Sequence, residues 1–300
     1  MGMELTLNYK IATSEAGMSL LNYLKRQNIS RKMTVALKHR GGKLLVNGTS
    51  QTVRCILKEG DLVTVIFPQE PRSQGLSPYE LKLNIVYEDP YLLVIDKPAG
   101  IPTIPSLRHP HETLANAIIY YYHEQHLDST IHFVNRLDRD TSGLLIVAKY
   151  GHIHHLLTQE LKQIQRKYYA VVKGAMNSSQ GTINKPIARV RPGQVRRCVR
   201  ADGQPAITHF RAIKKWPDLT LVECQLETGR THQIRVHLAH LGHPLISDTL
   251  YDEGAIELEY GQLLHSYHLS FMHPIYKREF SFETDLPSRF KTFFKEVLSS

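Results

Sequence analysis

The chain has little cysteine, one tryptophan and no long apolar run, and each shortage removes a class of protein. Three cysteines in 300 residues, Cys55, Cys198 and Cys224, form neither a disulfide framework nor the C-x-x-C pair of a zinc knuckle. The apolar runs, such as Gly143 to Ala148, are far too short to span a bilayer. The N-terminus lacks the basic-then-apolar pattern of an export signal, so a cytoplasmic protein with no membrane partner is expected. No G-x-G-x-x-G follows a strand and no P-loop is present, which leaves no signal for a nucleotide cofactor. Internal repeats and low-complexity tracts are absent too.

What is present is an ordinary globular composition, 42% apolar and 22% charged, over a length that suggests two domains. Its charge is uneven. The net charge is +9, and residues 151–215 hold 13 Lys and Arg against two Asp and Glu, residues 1–70 ten against five. The segments 71–150 and 216–300 are acidic on balance. Two separated basic blocks fit a polyanion that reaches across both domains, although a solvated basic surface gives the same totals.

Residues 1–70 read as a small α+β module. Leu20, Leu21 and Leu24 share a helical face, and Ser30 is placed to cap a second helix bearing Arg31, Lys32 and Lys38. Gly41-Gly42 ends that helix, Lys43 to Val46 runs into the hairpin signal Asn47-Gly48, and Leu62 to Phe67 makes a closing strand. Residues 71–84, rich in proline and polar residues, read as a linker. Residues 85–300 mix strands and helices without a regular βαβ rhythm, so an α+β domain is expected. Strands are predicted near 91–95, 143–148, 167–173, 207–213 and 219–227. Helical faces are marked by Leu114, Ala117, Ile118, Tyr121 and Tyr122, by Ile153, Leu156, Leu157, Leu161 and Ile164, and by Phe290, Phe293, Phe294, Val297 and Leu298.

The densest chemistry lies in Asn135-Arg136-Leu137-Asp138-Arg139-Asp140-Thr141-Ser142-Gly143, a polar loop placed just before the apolar strand Leu144 to Ala148. Arginines flank Asp138 and favour its ionised form, the form that nucleophilic or base catalysis requires. Taken alone, such an aspartate is more often a turn residue that accepts a backbone N–H.

The whole string changes that balance. "NRLDRDTSGLLIVAK" resembles the H-R-L-D-x-x-T-S-G-L motif of the RluA/RluD-type RNA pseudouridine synthases. The likeness continues in order through "YEDPYLLVIDKPAGIPTIPS", "RKYYAVVKG", "DGQPAITHF", "LETGRTHQIRVHLAHLGHPLISDTLYD" and "LHSYHLSFMHP", from about residue 85 to 285. The first seventy residues, with "GGKLLVNG" and "LKEGDLVTV", resemble an S4-type RNA-binding domain. The resemblance implies a mixed, largely antiparallel sheet with flanking helices. It also implies an isomerase that converts uridine to pseudouridine in structured ribosomal or transfer RNA as a monomer. The N1–C1′ bond breaks, the uracil turns and C5 joins C1′. Nothing is oxidised and no water is consumed, so no cofactor and no metal is expected.

By resemblance Asp138 is the essential aspartate and Tyr168 stacks on the target uracil. Arg136 fills the space a flipped nucleotide leaves or clamps the phosphate backbone, and Arg230 pairs with the Asp138 carboxylate to orient it. Arg139 and Gln233 are expected to contact RNA, Arg235 has no clear role, and Leu238, Ala239 and Leu241 read as packing. Arg189, Arg191, Arg196, Arg197 and Arg200 straddle Pro192-Gly193 and read as a hairpin that grips phosphates, led by Arg196 and Arg197. Arg31 and Lys32 serve the same end on the first module.

Two departures stand out: Asn135 replaces the family's usual histidine, and Ser247 and Asp252 replace glycines. His237, His240 and His243 are spaced for no metal, and His152, His154 and His155 read as solvated. A silent RNA-binding protein and a uracil-releasing glycosylase are the rival readings.

Overall fold

A computed structural model describes residues 4–70, 75–127, 130–161 and 163–298; the expected linker falls in part on residues 71–74, outside that set. The first unit comprises β1 (Thr6–Lys10), α1 (Leu20–Arg26), α2 (Arg31–His39), β2 (Lys43–Val46), β3 (Thr49–Ser50) and β4 (Leu62–Ile66). Its antiparallel sheet runs β1-β4-β2-β3. Local chemistry sets its corners. Ser30 Oγ accepts the Met33 N–H at the start of α2, and Asn47 and Gly48 both take positive φ (51° and 76°), as a two-residue hairpin turn requires.

The second unit comprises β5 (Ile85–Glu88), β6 (Leu92–Lys97), α3 (Leu114–Glu124), β7 (His132–Phe133), β8 (Ser142–Ala148), α4 (Gly151–Gln159), β9 (Gln165–Lys173) and β10 (Gln180–Asn184). It continues with β11 (Ile187–Arg189), β12 (Arg197–Val199), β13 (Ile207–Lys215), β14 (Leu219–Leu226), α5 (Gln233–His240), β15 (Leu264–Met272), β16 (Glu279–Glu283) and α6 (Ser288–Leu298). The main sheet runs β10-β13-β14-β9-β15-β8-β6-β5, with β16 also on β15 and β7 on β8. Its strands pair antiparallel except β15 with β8. The fold is α+β.

That parallel contact explains one glycine of the loop-to-strand motif in physical terms. Gly143 has φ +109°, and a Cβ there would sit 2.2 Å from the Ser266 carbonyl oxygen. Only glycine lets the two strands meet. The run Leu144 to Ala148 is apolar throughout because both faces of β8 are covered. Leu144, Ile146 and Ala148 face a core shared with α4 and the N-terminal unit, while Leu145 and Val147 face the core under α3 and α5.

The two units touch at α4, and this corrects one expectation. His152 is buried and stacks on Phe67, ring centroids 4.7 Å apart. His154 packs against the His132 ring, which is bonded to Glu70 at 2.6 Å. The histidines of α4 are solvated only in part, because the N-terminal unit docks over the start of the helix. The part of the linker that is described is also held: Asn116 Nδ2 donates to the Ser77 carbonyl. Leu241, expected in the core, is 41% exposed beyond the end of α5. Among the described residues no helix is long and apolar enough to cross a membrane.

Candidate active site

The loop between β7 and β8 is held from several directions. Asn135 is buried and its Oδ1 accepts the Ile146 N–H at 2.9 Å, a bond that a histidine ring nitrogen can also accept. Thr103 Oγ1 donates to the Leu137 carbonyl at 2.6 Å. Lys97 is fully buried, and its Nζ donates to the carbonyls of Pro98, Ile101 and Arg139 at 2.8–2.9 Å. Burial pushes this amine down to about 7, against the raising fields of Asp140 and Asp138. From α6, Arg289 donates to the Asp140 carbonyl at 3.0 Å. The backbone on both sides of Asp138 is therefore fixed before any substrate arrives.

Asp138 sits on the wall of a cleft of about 1320 Å3. Its Oδ2 accepts from Arg235 Nη1 at 3.1 Å. The same guanidinium gives its Nε and Nη2 to the buried Asp248 carboxylate at 2.7 and 2.8 Å, and lies over the Tyr251 ring, 5.1 Å from its centroid. Burial opposes the charge on Arg235, but the hydrogen bonds of Asp248 and the field of Asp138 outweigh it and keep the group protonated. Asp248 thus acts as a buried anchor that aims the third N–H of the fork at Asp138.

His232 precedes α5 in the left-handed region, φ 59°. Its Nδ1 lies 2.8 Å from the Tyr251 hydroxyl, which accepts the Arg197 backbone N–H. Its Nε2 faces Asp138 Oδ2 at 4.0 Å. Burial holds the imidazole below its usual value despite Asp138, so it is neutral near pH 7. Tyr168, on β9, lines the same cleft and is buried. Burial raises its phenol against the lowering effects of Arg166 and the Ser266 hydroxyl, with Asp138 adding to the rise.

Of the residues expected from sequence, Asp138, Arg136, Arg139, Tyr168, Arg230 and Gln233 all line this cleft, but two of the expected contacts are wrong. Arg230 does not meet Asp138; its Nε donates to the Pro205 carbonyl at 3.0 Å, because it precedes α5 while Arg235 lies within it. Gln233 is not available to RNA. It is buried, its Oε1 accepts from Thr228 Oγ1 and the Arg230 N–H, and its Nε2 donates to Ile207 and Thr208, pinning the turn to β13. Arg139 forms a two-bond pair with Asp140, and Arg136 is exposed at the cleft.

Arg196 and Arg197 lie on the expected hairpin: β11 and β12 pair, Arg189 opposite Arg197. The hairpin reaches the site through Tyr251, against which Arg196 also packs. Arg31 and Lys32 are exposed at the start of α2, outside the residues that line the cleft. The histidines near α5 diverge: His237 is buried between Thr208 and the Lys185 carbonyl, and His243 bonds the Lys173 carbonyl.

A family model described as RNA pseudouridylate synthase matches residues 91–240. The chain is 45% identical over 273 residues to the uncharacterized RNA pseudouridine synthase YjbO of Bacillus subtilis, covering 90% of this chain and 96% of the relative. It is 38% identical over 252 residues to ribosomal large subunit pseudouridine synthase D of Xanthomonas campestris, covering 79% and 75%. The structure of human RNA pseudouridylate synthase domain containing 4 shares the fold, with a TM-score of 0.58 at 23% identity, over 71% of this chain and 92% of that one.

Proposed function

The chain belongs to the RNA pseudouridine synthase family and is an isomerase of RNA uridines, and from that premise we propose that Asp138 is its catalytic carboxylate. The observation that carries this is the fork of Arg235, which holds Asp138 on the cleft wall. A carboxylate fixed beside C1′ can stabilise positive charge there, or add to it, while the N1–C1′ pair moves to the uracil. The base then turns, C5 bonds to C1′, the C5 proton leaves and N1 gains one. The reaction balances without an oxidant, a reductant or water.

Tyr168, buried in the same wall, stacks on the flipped uracil, an interaction worth about 1–3 kcal/mol. Arg136, exposed at the cleft, takes the place of the extruded base or clamps its phosphate. Arg235, which also lines the cleft, orients Asp138.

The substrate is a structured ribosomal, large-subunit RNA or a transfer RNA. Support comes from the relative named for the large ribosomal subunit, and from the two basic blocks of the sequence. The N-terminal unit serves as an S4-like RNA-binding domain through Arg31 and Lys32, and Arg196 and Arg197 grip the backbone nearer the site. We further propose that the enzyme acts as a monomer in the cytoplasm.

Transcript labelled with tritium at uridine C5 tests the chemistry. Tritium release with the base retained is expected. Free uracil would indicate a glycosylase, and no change a silent binder. Asp138→Asn is expected to abolish turnover with RNA affinity kept within a few-fold.

A further inference from the structure

The strand that carries Tyr168 carries a second cleft residue two positions earlier. Arg166 and Tyr168 share a face of β9 and both line the cleft. Arg166 is 3% exposed, and its Nε and Nη2 have no hydrogen-bond partner among the described residues. Its Nη1 occupies space that Gly229 leaves open; a Cβ on Gly229 would sit 3.0 Å from it. Of the cleft carboxylates, Asp138 and Asp248 are on Arg235 and Asp140 is on Arg139, while Glu257 is exposed. A buried guanidinium with two idle donors is costly unless an anion completes it. Here the substrate can supply that anion.

The RNA offers two kinds of anion. Its phosphates are permanent and belong to the backbone, within reach of partly or fully exposed arginines such as Arg136 and Arg230. The other anion is transient. When N1–C1′ breaks, the bonding pair stays on the uracil and spreads over N1 and the carbonyl oxygens. Arg166 is buried beside Tyr168, less exposed than Arg136 or Arg230, with its Nε and Nη2 closed to solvent in the free protein. Resting on the reading that Asp138 drives glycosidic cleavage, we infer that Arg166 binds the uracil anion, its Nε–H and Nη2–H meeting N1 and O2.

The chemistry of the fork supports that pairing. In uridine N1 is bonded to C1′ and has no free pair in the ring plane, so the edge that holds N1 and O2 presents one acceptor. In the released base N1 and O2 become adjacent acceptors that match a guanidinium as a carboxylate does. The contact is therefore stronger with the detached, turned base than with uridine, which favours that intermediate over the bound substrate. With N1 turned to Arg166 and away from the sugar, C5 faces C1′, ready to form the new bond. Arg166 both stabilises the leaving group and selects its rotated orientation.

The test uses the full-length protein and C5-tritiated transcript, under single-turnover conditions with saturating enzyme. R166Q is expected to slow tritium release by 100-fold or more with the RNA Kd within threefold, and R166K, with charge but no fork, to fall between R166Q and wild type. Replacing the target uridine by 2-thiouridine weakens the acceptor at O2. It should slow wild type at least tenfold more than it slows R166Q, a coupling that a structural role for Arg166 would not produce. Should R166Q lose the wild-type unfolding transition, R166K and the 2-thiouridine comparison carry the test. Wild-type rates in both variants, a loss confined to Kd, or an equal thio effect in wild type and variant would overturn the inference. Failure of wild type itself to release tritium would instead defeat the proposed function.

Discussion

The exchange of Arg230 for Arg235 as the partner of Asp138 makes a prediction that sequence resemblance alone would reverse. Arg235→Lys keeps the positive charge but loses the planar fork. Arg235 bonds Asp248 through Nε and Nη2 and Asp138 through Nη1. A lysine ammonium is a compact point charge and cannot span two carboxylates in that geometry. If it stays with Asp248, Asp138 loses one charge-assisted hydrogen bond, about 1.5–3 kcal/mol. That corresponds to roughly 10- to 150-fold in rate if the bond is kept into the transition state. If it follows Asp138, the buried Asp248 loses its partner, and stability falls by about 3–5 kcal/mol.

Single-turnover tritium release and urea unfolding, run together on Arg235→Lys and Arg230→Ala, separate these contributions. Arg230 has one side-chain bond, to the Pro205 carbonyl, and is partly exposed. Its removal should leave stability within about 1 kcal/mol and act mainly through RNA affinity. Arg235→Lys should lose rate at saturating enzyme, where affinity no longer matters. A dead Arg230→Ala beside an Arg235→Lys with wild-type rate would refute the assignment and restore the partner expected from the sequence.

Two further predictions concern the frame of the site. Lys97→Met removes the common donor to three carbonyls, one of them on Arg139 next to Asp138. It should cost about 2–5 kcal/mol in urea unfolding and slow turnover with RNA affinity unchanged; a fully active, equally stable variant would show that the loop needs no such clamp. His152 and His265 are pushed down to about 4 by burial. An unfolded histidine titrates near 6.5, so between pH 6.5 and 4 the unfolded chain binds protons that the folded chain does not. The stabilisation is full above about 6.5 and is lost as pH falls toward 4, up to about 3 kcal/mol per ring. His152→Phe, which keeps the stack on Phe67, should lose less stability between pH 7 and 4.5 than wild type; equal losses in urea titrations at the two values would rule out this source.

The fold was legible wherever one segment's pattern decides its structure. The Asn47-Gly48 turn, the Ser30 cap, the apolar run of β8 and the span of β14 are local facts, and the structure places them within a residue or two of the reading. Patterns that depend on a neighbour were harder to read. α4 looks solvated at its histidines until Phe67 covers His152, and the parallel meeting of β8 and β15 shows only once Gly143 and Ser266 are adjacent. Neither can be deduced from spacing, because the partners are 85 and 123 positions apart.

The site divides along the same line. Asp138 could be named because a single short motif holds it. Its ion partner could not, since Arg230 and Arg235 stand in one motif and carry the same charge. What separates them is Asp248, 13 residues beyond Arg235, which fixes that guanidinium while Arg230 bonds only the Pro205 carbonyl. A signal for this existed in the sequence: Arg235 is the only formally charged residue in the run Gln233 to His240, and a permanent cation inside a short, otherwise enclosed helix must find an acid. Arg166 poses the same question with the opposite result. It too is a buried cation, yet the described residues supply no acid to its Nε and Nη2. On the proposed reading, the two buried arginines of the cleft divide the labour: Arg235, completed by Asp248, orients the Asp138 carboxylate, and Arg166, with no acid of the described residues on its Nε and Nη2, meets the anion that exists only while the base is detached.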